Sequence, residues 1–348
     1  MRPCITQPLV IRDTPFGGPR PLFCIPLVAK DLEQLLAQAR AAHDLHADVV
    51  EWRADSYGEL SVTGLVEAAC ALRSALRREP ILFTLRISSE GGVQEMRQDL
   101  RLACIDEILR SDFVDLIDIE LCNGPEVLQS IINTAHERAK RVIASFHDFQ
   151  GTPSNETLLE KISTMVSHGT DIAKIACMPR ESGDVLRLLQ VTLTARQSFP
   201  AVPLCTISMG GLGFLSRVAG FLYGSDMTFA VGTTSSAPGQ IAIGEARAIA
   251  ESLIRNQPGR TQSDFRDFLA HSGLWSCCGY DGLSIVFDVP LEAVQSLSEG
   301  QKRDMMRLLH RLAEGMDEKL KNQIAELEQV AAEDRLAGLG SLSAGFPA

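Results

Sequence analysis

A closed (β/α)8 barrel, eight parallel strands each followed by a helix, is the fold this sequence predicts. From residue 21 to about 256, short apolar runs rich in β-branched residues alternate with longer stretches of helical period. The short runs are apolar at nearly every position, as strands are when both faces of a sheet are buried. Strict strand–helix alternation makes the sheet parallel, and eight repeats in about 250 residues close it into a barrel. An open doubly wound sheet is the structural alternative. It would show a glycine-rich first turn, and LVAKDLEQ at 27–34 is not one.

Residues 1–20, with turn-rich DTPFGGPRP following Arg12, predict a small cap, a hairpin under the barrel. The strands are then LFCIPLVA (22–29), ADVVEWR (47–53), ILFTLR (81–86), VDLIDIEL (114–121), RVIASFH (141–147), DIAKIA (171–176), VPLCTIS (202–208) and MTFAV (227–231). Between them the helical stretches are 31–45, 61–76, 94–110, 125–139, 155–169, 184–199 and 214–224, and an eighth covers 244–257.

The chain has 348 residues, 45% of them hydrophobic, and a formal net charge of -11. That charge argues against a nucleic-acid surface, and an anionic ligand needs its own local arginines. No apolar run approaches the length of a membrane span. MRPCITQPLVIRDTPFGG at the start lacks the apolar core of a signal peptide. The nine cysteines are scattered, mostly in apolar segments, in neither a disulfide framework nor a zinc pattern. A reducing cytoplasm is the expected location.

In such barrels chemistry sits at the C-terminal ends of the strands, and the polar residues gather there. Strand two ends in Glu51 and Arg53, and strand three in Arg86 with Glu90 beyond it. Strand four ends near Asp118 and Glu120, strand five in Ser145, His147 and Asp148. Strand six carries Lys174, strand seven ends in Ser208 with Arg217 following, and GTTSSAPGQ follows strand eight. Each has a bland reading. Glu51 and Arg53 could be a structural ion pair, His147 a satisfied core histidine, and Lys174 the partner of a buried carboxylate. Asp118 and Glu120 are read here as barrel-mouth hydrogen bonding rather than chemistry. Together, though, these groups converge on one rim, where desolvation makes each of them costly.

Burial disfavours the ammonium form of a lysine, and a neutral amine attacks a ketone to form a Schiff base. His147, on the neighbouring strand, suits a proton shuttle. Glu90 could orient its imidazole. No phosphate loop, metal cluster or dinucleotide fingerprint appears, and GLGSLSAG near the end lacks the required spacing and context. The residues therefore point to covalent imine catalysis on a small anionic carbonyl compound, with no cofactor. They leave aldolase and dehydratase open.

From about 18 to 256 the chain resembles type I 3-dehydroquinate dehydratase of the shikimate pathway. The matching pieces are EWRAD (51–55), FTLR with EGG (83–92), DIEL (118–121), SFHDF (145–149), AKIACMP (173–179), SMGGLGFLSRVAG (208–220) and SAPGQI (236–241), in matching order and spacing. The resemblance implies that Lys174 forms an imine with the ring ketone of 3-dehydroquinate, and that His147 removes the adjacent proton and helps expel the hydroxyl. It implies that Glu90 tunes His147 and that Arg217 holds the substrate carboxylate. Glu51, Arg53, Arg86, Ser236 and Gln240 would bind ring hydroxyls or order a lid, with the SAPGQI loop closing over the site. Pro26 and Gly211 depart from residues that some relatives carry there, a serine and a lysine. The rivals are a catalytically dead quinate-sensing regulator and another Schiff-base lyase of the class I aldolase kind. Retention of Lys174, His147 and Glu90 and the lack of a DNA-binding motif favour the enzyme.

Residues 257–348 extend past the resemblance. They show a linker (QPGRTQSD), a short helix (264–271), a strand-like LSIVFDV (283–289), and a long helix from about 299 to 332 after the capping box SEGQ. The tail LAGLGSLSAGFPA is read as disordered from its composition. In the long helix Met305, Leu309, Leu312, Met316, Leu320, Ile324, Leu327 and Ala331 make one narrow stripe. It is read as pairing with the same helix of another subunit, making 257–348 an assembly module of a homo-oligomer, most simply a dimer. Packing on its own barrel is the alternative, and Gly315 in mid-helix weighs against pairing. Truncation near residue 256 is expected to leave an active barrel of lower association state. Sedimentation of both forms checks this, and an unchanged state refutes pairing.

Overall fold

The strand β1 (Leu9–Ile11) pairs antiparallel with β2 (Thr14–Phe16). Eight parallel strands then share one sheet: β3 (Leu22–Leu27), β4 (Val49–Arg53), β5 (Ile81–Thr84), β6 (Leu116–Glu120), β7 (Arg141–Asp148), β8 (Ile172–Cys177), β9 (Leu204–Ser208) and β10 (Met227–Phe229). Their helices are α1 (Leu32–Asp44), α2 (Val62–Ala75), α3 (Gln98–Arg110), α4 (Pro125–Glu137), α5 (Asn155–Ser167), α6 (Ser182–Ser198), α7 (Phe214–Ala219) and α8 (Ile243–Arg255). This is the (β/α)8 barrel the alternation predicts, with the hairpin as its N-terminal cap. The computed structural model describes residues 3, 5–6, 8–18, 20–234, 236–255, 278–280, 284–289 and 342–347. The chain divides into two compact units, residues 1–256 and 257–348.

Local sequence starts the helices where the strands end. Asp31 accepts from the Gln34 N–H at α1 (2.8 Å) and Ser61 from the Gly64 N–H at α2 (3.0 Å). α4 opens with Pro125 at its first turn, where a missing N–H costs nothing. Two helical stretches are shorter than their periodicity suggests. α3 begins at Gln98 because residues 93 and 94 are claimed by the loop below it: the Val93 N–H donates to Asp55 (2.9 Å) and the Gln94 amide to the Tyr57 carbonyl (2.8 Å). α7 ends at Ala219 and tightens into a 3-10 turn over Gly220–Tyr223, closed by Gly224 at φ 114°.

The sheet order is β10-β3-β4-β5-β6-β7-β8-β9. The remaining edge, β9 to β10, is tied by Ser225, whose Oγ accepts the Thr206 N–H (3.1 Å), and chiefly by Asp226. The Asp226 N–H donates to the Leu204 carbonyl (2.6 Å), its carboxylate accepts the Leu204 N–H (2.8 Å), and its carbonyl accepts the Leu22 N–H (2.8 Å). The buried Arg196 guanidinium pairs with that carboxylate. Asp226 thus binds both edges and closes the barrel.

Strand parity sorts the side chains. Outward residues such as Val50, Trp52, Phe83, Ile117, Ile119 and Ile175 pack under the helices. Inward residues at the lower level, Val49, Leu82, Leu116, Ile143 and Ile172, form a second apolar cluster, which Ile11 and Phe16 of the hairpin plug from below. Above this floor the inward positions turn polar, and the apolar base keeps water from reaching them from that end. Among the described residues no helix is long and apolar enough to cross a membrane.

In the second unit the described residues form a three-stranded antiparallel sheet of β11 (Cys278–Tyr280), β12 (Ser284–Val289) and β13 (Leu342–Pro347). The strand expected at 283–289 is β12. The tail expected to be disordered instead supplies β13, which pairs with β12 over its whole length, from Ser284↔Pro347 to Val289↔Leu342. Composition hid a period of two, since Leu342, Ala344 and Phe346 alternate with Ser343 and Gly345. The linker at 257–264, the short helix at 264–271 and the long helix at 299–332 lie outside the described residues.

Candidate active site

Lys174 sits on β8 opposite Ser145 of β7 and Cys205 of β9, and is 4% exposed. Its Nζ lies 2.9 Å from Asp118 Oδ2 and 4.0 Å from Glu51 Oε1. The Phe229 ring of β10 lies against it, 4.5 Å from Nζ to its centroid. The reading of Lys174 as a buried carboxylate's partner is therefore accurate as geometry, and the carboxylate is Asp118.

Arg86 stands over the same carboxylate. Its guanidinium reaches Asp118 Oδ2 at 2.8 Å, Glu120 Oε1 at 3.0 Å and Ser145 Oγ at 2.8 Å. Burial alone would weaken its charge, but Asp118 and Glu120 hold its pKa above the ordinary value. Burial would likewise raise Asp118, yet Arg86 and Lys174 keep it well below the usual carboxylate range. Glu120 is held further by the buried Arg101 and by the Ile87 N–H (3.1 Å).

His147 lies one inward level above Lys174 on the neighbouring strand, its partner there being Ala176. Its Nδ1 is 2.9 Å from Glu90 Oε2, and its backbone N–H donates to the same oxygen at 2.9 Å. With Nδ1–H committed to the carboxylate, Nε2 is left as the acceptor. Burial pushes His147 well below the ordinary imidazole value, and the charges of Arg86 and Lys174 push it the same way, so the ring is neutral. Glu90 hangs from a short turn, Ser88–Glu90, that ends at Gly91 with φ +87°. That left-handed backbone favours glycine, and a Cβ there would also come within 2.6 Å of the Phe149 ring edge.

Burial raises Glu90 to about 7, the opposing pull of a Cys122 thiol bond and of Arg86 being weaker. An unfolded glutamate titrates near 4.3. The folded state therefore holds a proton that the unfolded chain releases over that window. The stability this gives is fully present below the unfolded value and is lost as pH rises through about 7. Glu90→Gln, which keeps an acceptor for both His147 N–H groups, is expected to gain on the wild type as pH rises from 5 to 8. At about 1.4 kcal/mol per pH unit the gain is on the order of 2–3 kcal/mol. Melting curves at the two pH values check it, and a constant gap contradicts it.

Glu51 and Arg53 share a strand face but do not pair with each other. Glu51 accepts from Thr84 Oγ1 (2.8 Å), while Arg53 makes a bidentate bond to buried Asp55, both distances 2.8 Å, and donates to the Gly91 carbonyl (3.1 Å). Asp55 thus braces the loop that carries Glu90. Asp55, the last residue of the EWRAD motif, is turned inward and buried by the fold.

Arg217 is a buried cation whose partners are carbonyls, Phe229 O at 3.4 Å and Pro238 O at 2.9 Å. Among the described residues its Nε has no hydrogen-bond partner. Burial lowers its pKa to about 10. A buried guanidinium without a carboxylate is costly, and an anionic ligand would satisfy it. The SAPGQI loop rests on it through Pro238. Ser236 and Gln240 clasp each other there, Gln240 Oε1 accepting the Ser236 N–H at 2.9 Å and Gln240 Nε2 donating to Ser236 Oγ at 3.1 Å.

The structure thus gathers Lys174, Glu51, Arg86, His147 and Glu90 at one mouth, and joins Arg217 to the loop that holds Ser236 and Gln240. Asp118, Ser145, Thr84 and Asp55 complete the polar network. Parity was the available signal, since Asp118 and Ser145 alternate with apolar outward residues exactly as Glu51 and Lys174 do.

A barrel with an apolar floor, a buried amine and a largely buried imidazole at its mouth has the architecture of the (β/α)8 enzymes, which carry their chemistry at that end. The family model of type I 3-dehydroquinase matches residues 23–257. A 3-dehydroquinate dehydratase of Bacillus licheniformis is 40% identical over 247 residues, 71% of this chain and 97% of the relative. One of Klebsiella pneumoniae subsp. pneumoniae is 40% identical over 250 residues, 72% of this chain and 100% of the relative. The crystal structure of 3-dehydroquinate dehydratase from Geobacillus kaustophilus superposes with a TM-score of 0.72 at 38% identity, covering 74% of this chain and all of that one. A Clostridium difficile type I enzyme, solved with covalent modified comenic acid, matches at 34% identity and TM-score 0.69, over 71% of this chain and 97% of its own. The chain belongs to the type I 3-dehydroquinase family.

Proposed function

We propose that the protein converts 3-dehydroquinate to 3-dehydroshikimate and water through a Schiff base on Lys174, with His147 as general acid and base. The observation that carries this reading is the placement of Lys174, buried at the barrel mouth, one inward level below a neutral His147 on the adjacent strand. The Lys174 amine attacks the ring ketone, the carbonyl oxygen leaves as water, and an iminium remains. His147 Nε2 takes the proton from the neighbouring carbon, and the electron pair flows into the iminium to give an enamine. That pair returns to expel the β-hydroxyl, which leaves as water with the proton from His147. A second water then hydrolyses the conjugated iminium and frees Lys174. Glu90 holds the imidazole by its Nδ1 side through both charge states (2.9 Å).

Arg217, with its unpartnered Nε, suits the substrate carboxylate. Glu51, Arg53 and Arg86 line the wall where ring hydroxyls would lie, and Ser236 and Gln240 would turn from each other towards the substrate as the loop closes. The Clostridium difficile relative solved with a covalent modified ligand supports covalent chemistry in such a site. The test is direct: purified protein mixed with 3-dehydroquinate should generate the ultraviolet absorbance of a conjugated enone. No absorbance from a folded protein refutes the reading. Arg217→Gln should raise KM about 10–100-fold, the scale of a hydrogen bond to a charged group, with kcat changed by less than threefold. Titration and initial rates check this, and an unchanged KM removes Arg217 from the carboxylate.

A further inference from the structure

We infer that Asp118 is the positioning residue that aims the Lys174 amine and the counter-charge of the iminium formed there. This rests on the reading of Lys174 as the nucleophile. Three donors converge on the one carboxylate: Lys174 Nζ (2.9 Å), Arg86 Nη2 (2.8 Å) and Ser145 Oγ (2.6 Å). Asp118 is 1% exposed, so it is a full charge kept from water, and such a charge is costly unless its pairing is complete. Arg86 takes part of that charge but is not its whole account, because it also pairs with Glu120 at 3.0 Å, a carboxylate it shares with Arg101. Nor does Glu51 serve Lys174 equally, since it lies 4.0 Å from Nζ and accepts a hydrogen bond from Thr84. Asp118 is the carboxylate within hydrogen-bonding distance of the amine.

The arrangement matches the charge history of that nitrogen. Nζ must be neutral when it forms the C–N bond. It becomes positive when water leaves and the iminium appears, neutral again in the enamine, and positive once more when the β-hydroxyl departs. A fixed negative charge 2.9 Å away stabilises both positive stages. While the nitrogen is neutral, Arg86 and Ser145 still hold Asp118, so the carboxylate neither swings away nor loses its charge. Ser145 lies opposite Lys174 in the β7–β8 register. Its hydroxyl accepts from Arg86 and donates to Asp118, which fixes the carboxylate's second oxygen.

The experiment uses the full chain with Asp118→Asn, and with Asp118→Ser should an amide facing two donors prevent folding. Each removes the charge. Turnover of 3-dehydroquinate is measured at steady state, and imine formation in a single turnover by borohydride trapping and mass spectrometry. The expected result is a 10–100-fold fall in both kcat and trapping rate with KM within threefold, the range of one charged hydrogen bond. A role confined to holding the barrel together would lower the melting temperature or raise KM instead. A folded variant with wild-type kcat and trapping overturns the inference, as does a loss seen only in KM. The wild type run in parallel separates the two levels. If its adduct does not map to Lys174, the proposed function itself fails; if it does and Asp118→Asn traps normally, only the role of Asp118 fails.

Discussion

Lys174→Ala is expected to abolish turnover, by something on the order of 10⁵–10⁶-fold, the scale on which removing a covalent nucleophile acts. Borohydride added with 3-dehydroquinate should inactivate the wild type and leave a mass adduct on the peptide holding Lys174, and the variant should carry none. Binding should largely survive, because Arg217 is a separate cation held by Phe229 and Pro238 carbonyls. The fold should survive as well. Asp118 loses one partner at 2.9 Å but keeps Arg86 and Ser145, so its charge is not orphaned. An adduct on a different lysine, or an active enzyme with none, ends the assignment.

His147→Ala should separate imine formation from elimination. A placed acid–base group is worth roughly 10²–10⁴-fold. In the proposed mechanism the histidine acts at more than one step, so kcat should fall by at least 10²-fold and towards the upper end of that range. The imine should still form, slowly, and remain trappable on Lys174. The variant also leaves Glu90 without the His147 Nδ1 contact at 2.9 Å, while the backbone N–H of residue 147 still meets it, so some loss of stability is expected alongside. Near-normal turnover, or loss of trapping equal to that in Lys174→Ala, would contradict the division of labour.

Much of the site was legible because barrel strands report their own geometry. Polar residues interrupt apolar runs at Glu51, Arg86, Asp118, His147 and Lys174, and in a barrel such interruptions near strand ends meet at one mouth. Their partners were less legible. The pair Glu51 and Arg53 reads as an ion pair along the strand, yet residues two apart on one face point the same way and each finds its partner elsewhere, Thr84 and Asp55. Asp118 reads as a rim hydrogen-bonding group, and only the stacking of β5, β6, β7 and β8 puts Arg86, Ser145 and Lys174 around it. The tail shows the opposite failure. Its glycines and serines suggested disorder, and the alternation that forms β13 was outweighed by composition.

The sequence by itself determined the number and order of strands and helices, the polarity of the barrel mouth and the residue types present there, because periodicity and burial are local consequences of residue identity. It determined the chemistry those types permit and, through its motifs, the family. Only the tertiary structure decided which charge faces which. Closure of the sheet through Asp226, the level of each side chain in the barrel and the pairing of Lys174 with Asp118 depend on register between strands dozens of residues apart. The same holds for the depressed His147 and the raised Glu90: desolvation and neighbouring charge set a proton affinity, and both exist only once the barrel has closed around them.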